Sequence, residues 1–123
     1  MANLLTPSAA AENPYTLAFH IVLDRVLHYV GAYHVSLRGK VDALVFAGGI
    51  GERSGEFRNA VGEAVNHLGY SAINEQVNHE LEHHQGTVID IGKHGGGIRM
   101  LVCRTDEQFE MARQCSLTDE FWL

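Results

Sequence analysis

Apolar side chains recur at helical spacing over the first third of the chain. Between residues 15 and 37 they stand three or four positions apart, which predicts one long helix. Pro14 suits its first turn, Asn13 is a candidate N-cap, and Gly39 ends it. The apolar stripe consists of Phe19, Val22, Leu23, Val26, Leu27, Val30, Tyr33 and Leu37. A stripe this wide predicts a largely buried helix.

A run of apolar residues and a cluster of glycines follow this helix. Ala43–Phe46 lies between Asp42 and Gly48, which is typical of a central strand covered on both faces. After the glycines, Ser54 is a candidate N-cap, and a helical pattern runs to Gly69, where a left-handed residue would close the helix. The apolar positions of this second helix are Phe57, Ala60, Val61, Ala64, Val65 and Leu68.

Shorter elements complete the pattern. We expect a polar helix over residues 74–84, strands over 87–91 and 98–103 around a turn at 92–97, and a helix over 106–115. Residues 1–13 are small and polar and predict a poorly ordered leader. The order of helices and strands predicts an α/β fold.

Composition narrows the class of protein. A length of 123 residues, with 46% hydrophobic and 20% charged residues, indicates one globular domain. The net charge of −6 argues against nucleic-acid binding, and no stretch is apolar enough to cross a membrane. Cys103 and Cys115 lack CxxC spacing and the N-terminus lacks a signal peptide, so we expect reduced thiols and a cytoplasmic location.

The glycine segment "GGIGE" (residues 48–52) is the first candidate for chemistry. Glycines between a strand and a helix let backbone amides approach a ligand closely. The spacing fits neither GxGxxG nor Walker A, so the pattern leaves nucleotide or phosphate binding and a tight structural turn equally open. The Glu52 side chain would either meet a ribose hydroxyl or lie in water.

Two other clusters have weaker signals. Asp106 and Glu107 follow a strand and could hold Mg²⁺, although acidic residues in a first helical turn more often complement the helix dipole. His79 and His83 stand four apart and could bind a metal, but a solvated helix face is the favoured interpretation.

Four ordered motifs point to a known family. The motifs are "DRVLHYVGAY" (residues 24–33), "VDALVFAGGIGERSGEFR" (residues 41–58), "LGYSAINEQVN" (residues 68–78) and "LVCRTDEQFEMAR" (residues 101–113). Together they resemble the acetate kinase family, which belongs to the acetate and sugar kinase/heat-shock cognate/actin superfamily, over roughly residues 9–115.

The resemblance implies a fold and a set of site residues. It implies that residues 14–123 form part of a C-terminal actin-like ATPase (ribonuclease H-like) domain, with a mixed sheet, flanking helices and the adenosine side of an ATP site. Glu107 aligns with the family's Mg²⁺-associated glutamate. Arg53 replaces the family's usual asparagine, and its cation could stack on the base. The implied adenosine-site residues are Gly48, Gly49, Ile50, Gly51, Glu52 and Arg53.

The resemblance also implies an activity and partners. Family members transfer a phosphoryl group from ATP to acetate or a related short carboxylic acid, in the cytoplasm, as homodimers joined through this domain. The family's N-terminal catalytic residues have no counterpart here, so we expect the C-terminal part of such a kinase, inactive on its own. The alternatives are a non-catalytic ATP-binding or dimerisation module, or part of a propionate or butyrate kinase. No nucleic-acid or membrane partner is expected.

Overall fold

The computed structural model describes residues 13–105 and 107–118, so the leader predicted at residues 1–13 lies outside the described residues except for Asn13. The helices are α1 (Pro14–Ser36), α2 (Gly48–Arg53), α3 (Gly55–Val65), α4 (Glu75–His79) and α5 (Glu107–Ser116). The strands are β1 (Ala43–Phe46), β2 (Val88–Asp90) and β3 (Arg99–Cys103), and short 3₁₀ turns span Asn66–Leu68 and Leu81–His83. The predicted α/β class is confirmed.

The three strands form a mixed sheet in the order β1-β3-β2. Strand β1 runs parallel to β3 with Ala43 opposite Arg99, and β2 runs antiparallel to β3. The prediction of Ala43–Phe46 as a central strand is wrong, because β1 lies at an edge of the described sheet and Val45 is 50% exposed. An apolar run does not reveal how many strands flank it, and β3 takes the central place.

Helix α1 is far more exposed than its apolar stripe predicts. It packs mainly on α3, where the Phe19 and Phe57 rings meet edge to face with centroids 6.0 Å apart. Leu23 is the one buried residue of α1. The exposed large apolar side chains of this segment are Tyr15, Leu17, Ile21, Val22, Tyr29, Tyr33, Val35 and Leu37. The prediction of a largely buried helix is therefore wrong, because the described residues cover only one side of it.

The predicted helix ends are confirmed where a side chain or a glycine fixes them. The Asn13 side chain accepts the Thr16 N–H at 2.8 Å, and Ser54 Oγ accepts the Phe57 N–H at 3.1 Å. Gly69 adopts the left-handed conformation, with φ of 98°. The polar helix predicted over residues 74–84 is instead the short helix α4 followed by a 3₁₀ turn, because the chain leaves helical geometry at Glu80.

The core lies between α3 and the sheet. Gly62 lets α3 approach the sheet closely, because a Cβ there would lie 2.9 Å from Ile73 Cγ1. The least exposed apolar side chains are Val61, Ile91, Met100 and Val102. Among the described helices none combines the length and apolarity that a bilayer span requires.

Candidate functional site

The glycine segment is itself a short helix and not the turn between a strand and a helix that the sequence predicts. Only Ala47 separates the end of β1 from the start of α2, and Gly48 makes this abrupt change of direction with φ of 73°, a conformation that favours glycine. Gly51 is buried, and a Cβ there would make ordinary contact with Phe46. Gly49 is exposed, and a Cβ there would meet nothing within 4 Å. Backbone conformation therefore accounts for Gly48, whereas neither a positive φ nor packing within the described chain gives a reason for Gly49.

A cleft of about 1000 Å³ opens beside α2. Four of the six residues predicted to form the adenosine site line it, while Ile50 and Gly51 do not. Ile50 is 49% exposed outside the lining, and Gly51 lies beneath it, against Phe46. The lining residues are Gly48, Gly49, Glu52, Arg53, Gly55, Glu56, Arg58, Asn78, His79, Leu81, Glu82, Arg104, Thr105 and Gln108.

Arg58 is the most elaborately bonded side chain of the cleft, and its side chain is 2% exposed. Its Nη1 donates to the carbonyl oxygens of Gly51 and Glu52, both at 2.9 Å. These carbonyls belong to the last turn of α2, where the helix itself leaves them unpaired. Burial lowers the pKa of the Arg58 guanidinium, because desolvation disfavours the cation. The guanidinium caps the C-terminal end of α2, where the helix dipole favours a positive charge.

Asn78 completes this network from α4. Arg58 Nε donates to Asn78 Oδ1 at 2.6 Å and Arg58 Nη2 donates to the Asn78 carbonyl at 3.0 Å. Asn78 Nδ2 in turn donates to the Gly55 carbonyl at 2.8 Å. The interpretation of the sequence gave neither residue a role, although "VDALVFAGGIGERSGEFR" ends on Arg58 and "LGYSAINEQVN" ends on Asn78. The pair ties α2, α3 and α4 together beneath the cleft.

A second wall of the cleft is fixed by Arg104. Its Nη1 donates to the His84 carbonyl at 2.6 Å, and its Nη2 donates to the Leu81 carbonyl. The Arg104 N–H also donates to the Thr87 carbonyl at 2.7 Å. Arg104 thus holds the 3₁₀ turn Leu81–His83 against the end of β3.

Glu52 spans from α2 to this wall. Its Oε1 accepts the Thr105 N–H at 3.0 Å, and its Oε2 accepts the Thr105 Oγ1 hydroxyl at 3.2 Å. Neither of the alternatives that the sequence left open, a ribose hydroxyl or plain solvent, anticipated this partner. The contact joins two motifs through a pair of residues that lie 53 positions apart in the chain.

Some of the charged side chains that line the cleft are already engaged by other parts of the protein. Arg58 and Arg104 are engaged with carbonyl oxygens, whereas Arg53 is exposed and has no hydrogen-bond or ion-pair partner among the described residues. Glu56 and Glu82 bring negative charge to the same lining. Arg53 is therefore the arginine of the lining best placed to meet a ligand.

The predicted metal ligands do not converge in the described part of the chain. His79 is the last residue of α4, His83 lies in the following 3₁₀ turn, and both are exposed. No group of three or more His, Cys, Asp or Glu side chains capable of holding a metal occurs among the described residues. Glu107 begins α5, its side chain lies outside the description, and Asp106 is not described.

Comparison with known proteins gives consistent matches. The sequence model of the Acetokinase family matches residues 4–113. A probable acetate kinase from Chaetomium globosum is 49% identical over 117 residues, which is 88% of this chain and 26% of the relative.

Solved structures agree with the sequence matches. The acetate kinase structure from Porphyromonas gingivalis has a TM-score of 0.63 and 31% sequence identity. The match covers 88% of this chain and 25% of the Porphyromonas gingivalis chain. A propionate kinase structure from Francisella tularensis has a TM-score of 0.64 and 29% sequence identity. The match covers 86% of this chain and 26% of the propionate kinase chain. The chain spans about a quarter of the length of the proteins it matches. The match of most of its length to the family model shows that the chain belongs to the Acetokinase family.

Proposed function

We propose that the cleft beside α2 binds an adenine nucleotide, and that residues 14–123 form the C-terminal, adenosine-side part of an acetate kinase-like phosphotransferase. Such an enzyme transfers a phosphoryl group between ATP and a short carboxylic acid. The observation that carries this proposal is Gly49, which lines the cleft at a point where a Cβ would meet no protein atom within 4 Å. A ligand that approaches the backbone there explains a glycine that packing does not.

The remaining predicted residues receive roles in the same cleft. The backbone of Gly48 and Gly49 forms the surface for the adenosine, and Arg53, which has no partner among the described residues, supplies a cation that can stack on the base. Gly51 supports α2 from beneath, and Ile50 lies at its exposed side. Phosphoryl transfer depends mainly on positioning and on neutralising charge, so the contribution proposed for this chain is to orient the nucleotide.

Mg²⁺ accompanies ATP in the proposed reaction. This ion takes one or two carboxylates and completes its shell with water and phosphate oxygens, so the single carboxylate of Glu107 fits an ion that arrives with the nucleotide. Bound Mg²⁺ would neutralise phosphate charge.

A binding experiment tests the nucleotide proposal. We expect Gly49→Ala to weaken ADP and ATP binding about tenfold in calorimetry, because a methyl group that intrudes on a close contact costs about 1–3 kcal/mol. Stability should not fall, since the new Cβ meets nothing within 4 Å and alanine favours a helix. Gly31→Ala in α1 is the matched control, because a Cβ there also meets nothing within 4 Å. Equal affinities for the wild type and Gly49→Ala, or no binding by the wild type, would contradict the proposal.

An activity assay separates the part from the whole enzyme. The chain matches about a quarter of each relative, so we expect the 123-residue chain alone to form no acyl phosphate. Hydroxamate detection with ATP, Mg²⁺ and either acetate or propionate checks this. Colour above the level of a protein-free blank would show that the chain is catalytic by itself. Nucleotide binding without activity would agree equally with a non-catalytic ATP-binding module.

We also propose a cytoplasmic homodimer. The exposed apolar side chains of α1 form a surface that a second copy would cover, as large exposed apolar patches usually mark interaction sites. Sedimentation velocity should give the mass of a dimer, and the double substitution Tyr29→Glu and Tyr33→Glu should give that of a monomer. A monomeric wild type at micromolar concentration would refute the dimer.

A further inference from the structure

The contact between Glu52 and Thr105 bears on how the cleft keeps its shape. Both carboxylate oxygens of Glu52 are engaged by one residue, through its N–H and its Oγ1 hydroxyl. Hydrogen bonds to an ionised acceptor are stronger than those between neutral groups. A side chain used in this way is directed toward the segment that leads into α5.

Both ends of this contact are held by other bonds. The Glu52 backbone is fixed by Arg58 Nη1, which donates to its carbonyl at 2.9 Å. Thr105 directly follows Arg104, whose own N–H and guanidinium are anchored on the Thr87 and His84 carbonyls. Because both backbones are already ordered, forming the contact costs little additional conformational entropy.

We infer that Glu52 is a positioning residue that acts through Thr105, and that it does not act by contact with the ribose. The Glu52–Thr105 contact joins the glycine-bearing helix α2 to the start of α5, so it sets the separation of the two walls between which a ligand would lie. This inference rests on the proposed nucleotide function for its effect on affinity. The contact itself can be tested without any nucleotide.

Hydrogen exchange of the Thr105 amide is the ligand-free test. That amide donates to Glu52 Oε1, so its exchange should be slowed in the wild type and should accelerate about tenfold or more in Glu52→Ala. Glu63→Ala is the matched control, because Glu63 is an exposed glutamate of α3 that does not line the cleft. Equal Thr105 exchange in the wild type and Glu52→Ala would overturn the inference.

Calorimetry with two nucleotides then separates positioning from direct contact. Glu52→Ala should weaken ATP and 2′,3′-dideoxy-ATP by the same factor, about fivefold, because a positioning residue does not sense the ribose hydroxyls. Thr105→Val, which removes only the hydroxyl donor, should weaken both about twofold. The double variant should bind no more weakly than Glu52→Ala alone, since both changes break the same contact. Glu52→Gln keeps one acceptor oxygen and should recover part of the loss.

Each contrary result has a distinct meaning. A loss confined to ATP, with dideoxy-ATP unaffected, would overturn the inference and assign Glu52 to the ribose. Additive losses in the double variant would also overturn it. If the wild type binds neither nucleotide while Glu52→Ala still accelerates Thr105 exchange, the proposed function fails and the bond between Glu52 and Thr105 is confirmed.

Discussion

Replacing Arg58 with methionine removes a buried guanidinium while keeping most of the side-chain volume. The change takes away all the donors that reach Gly51, Glu52 and Asn78. The last turn of α2 would then lose the side-chain donor that caps its carbonyls. We expect a large loss of stability in Arg58→Met.

The size of this loss follows from the acceptors left behind. A buried acceptor without a partner costs about 1–3 kcal/mol, and Arg58 serves three carbonyl oxygens and one amide oxygen. Water in the adjoining cleft can satisfy some of them, and removing a buried cation returns part of its desolvation penalty. We therefore expect a net loss of about 3 kcal/mol.

Urea unfolding followed by far-ultraviolet circular dichroism measures this loss. With slopes of about 1–3 kcal/mol per molar urea, the midpoint should fall by about 1–3 M at unchanged slope. Arg113→Met is the matched control, because Arg113 is an exposed arginine paired with Glu110 at 2.6 Å, and its loss should leave the urea midpoint nearly unchanged.

Arg58→Lys tests whether the planar geometry of the guanidinium, and not only its charge, stabilises the protein. An ammonium cannot span the α2 carbonyls and Asn78 as the planar guanidinium does, yet its charge would stay buried. We expect this variant to be no more stable than Arg58→Met. An Arg58→Lys variant that is nearly as stable as the wild type would show that the positive charge matters and that the planar guanidinium geometry does not. An Arg58→Met variant within about 0.5 kcal/mol of wild type would refute the capping role altogether.

Three further predictions concern stability. Ser54→Ala should lower the free energy of unfolding by about 1 kcal/mol, because the Phe57 N–H loses its cap; a change below about 0.3 kcal/mol in urea unfolding would contradict this. Gly62→Val should destabilise by at least about 2 kcal/mol in the same assay, because its Cβ would press on Ile73, and an unchanged midpoint would show that α3 can shift freely. Burial raises the pKa of Tyr70 above its usual 10.0, so the folded state holds this proton more tightly than the unfolded state. The free energy of unfolding should therefore fall as the pH rises above about 10. Thermal melts between about pH 9 and about pH 11 should show a smaller fall in melting temperature for Tyr70→Phe than for the wild type. Identical pH profiles of the two proteins would refute this role for Tyr70.

Local signals predicted the elements of this fold well. Ser54 and Gly69 mark the two ends of a helical segment through contacts within a few residues, and both are confirmed. The order of apolar runs predicted an α/β class, and the four motifs predicted the family. These features depend on neighbouring residues, so they can be seen in one sequence.

The candidate site was only partly predictable. Gly49, Glu52 and Arg53 were singled out and do line one cleft, whereas Ile50 and Gly51 do not. Composition could not show that the glycine segment is a helix, since glycine is a poor helix former and tertiary contacts decide its conformation.

By itself, the sequence determined where the two capped helices begin, after Asn13 and after Ser54, and to which family the chain belongs. Only the tertiary structure decided that β1 lies at the edge of the described sheet and that one face of α1 is uncovered. It also decided the partners of Glu52 and Arg58, which lie 53 and 20 positions away in Thr105 and Asn78. Caps and periodicity act over a few residues, whereas burial and side-chain pairing depend on which distant segments the whole fold brings together.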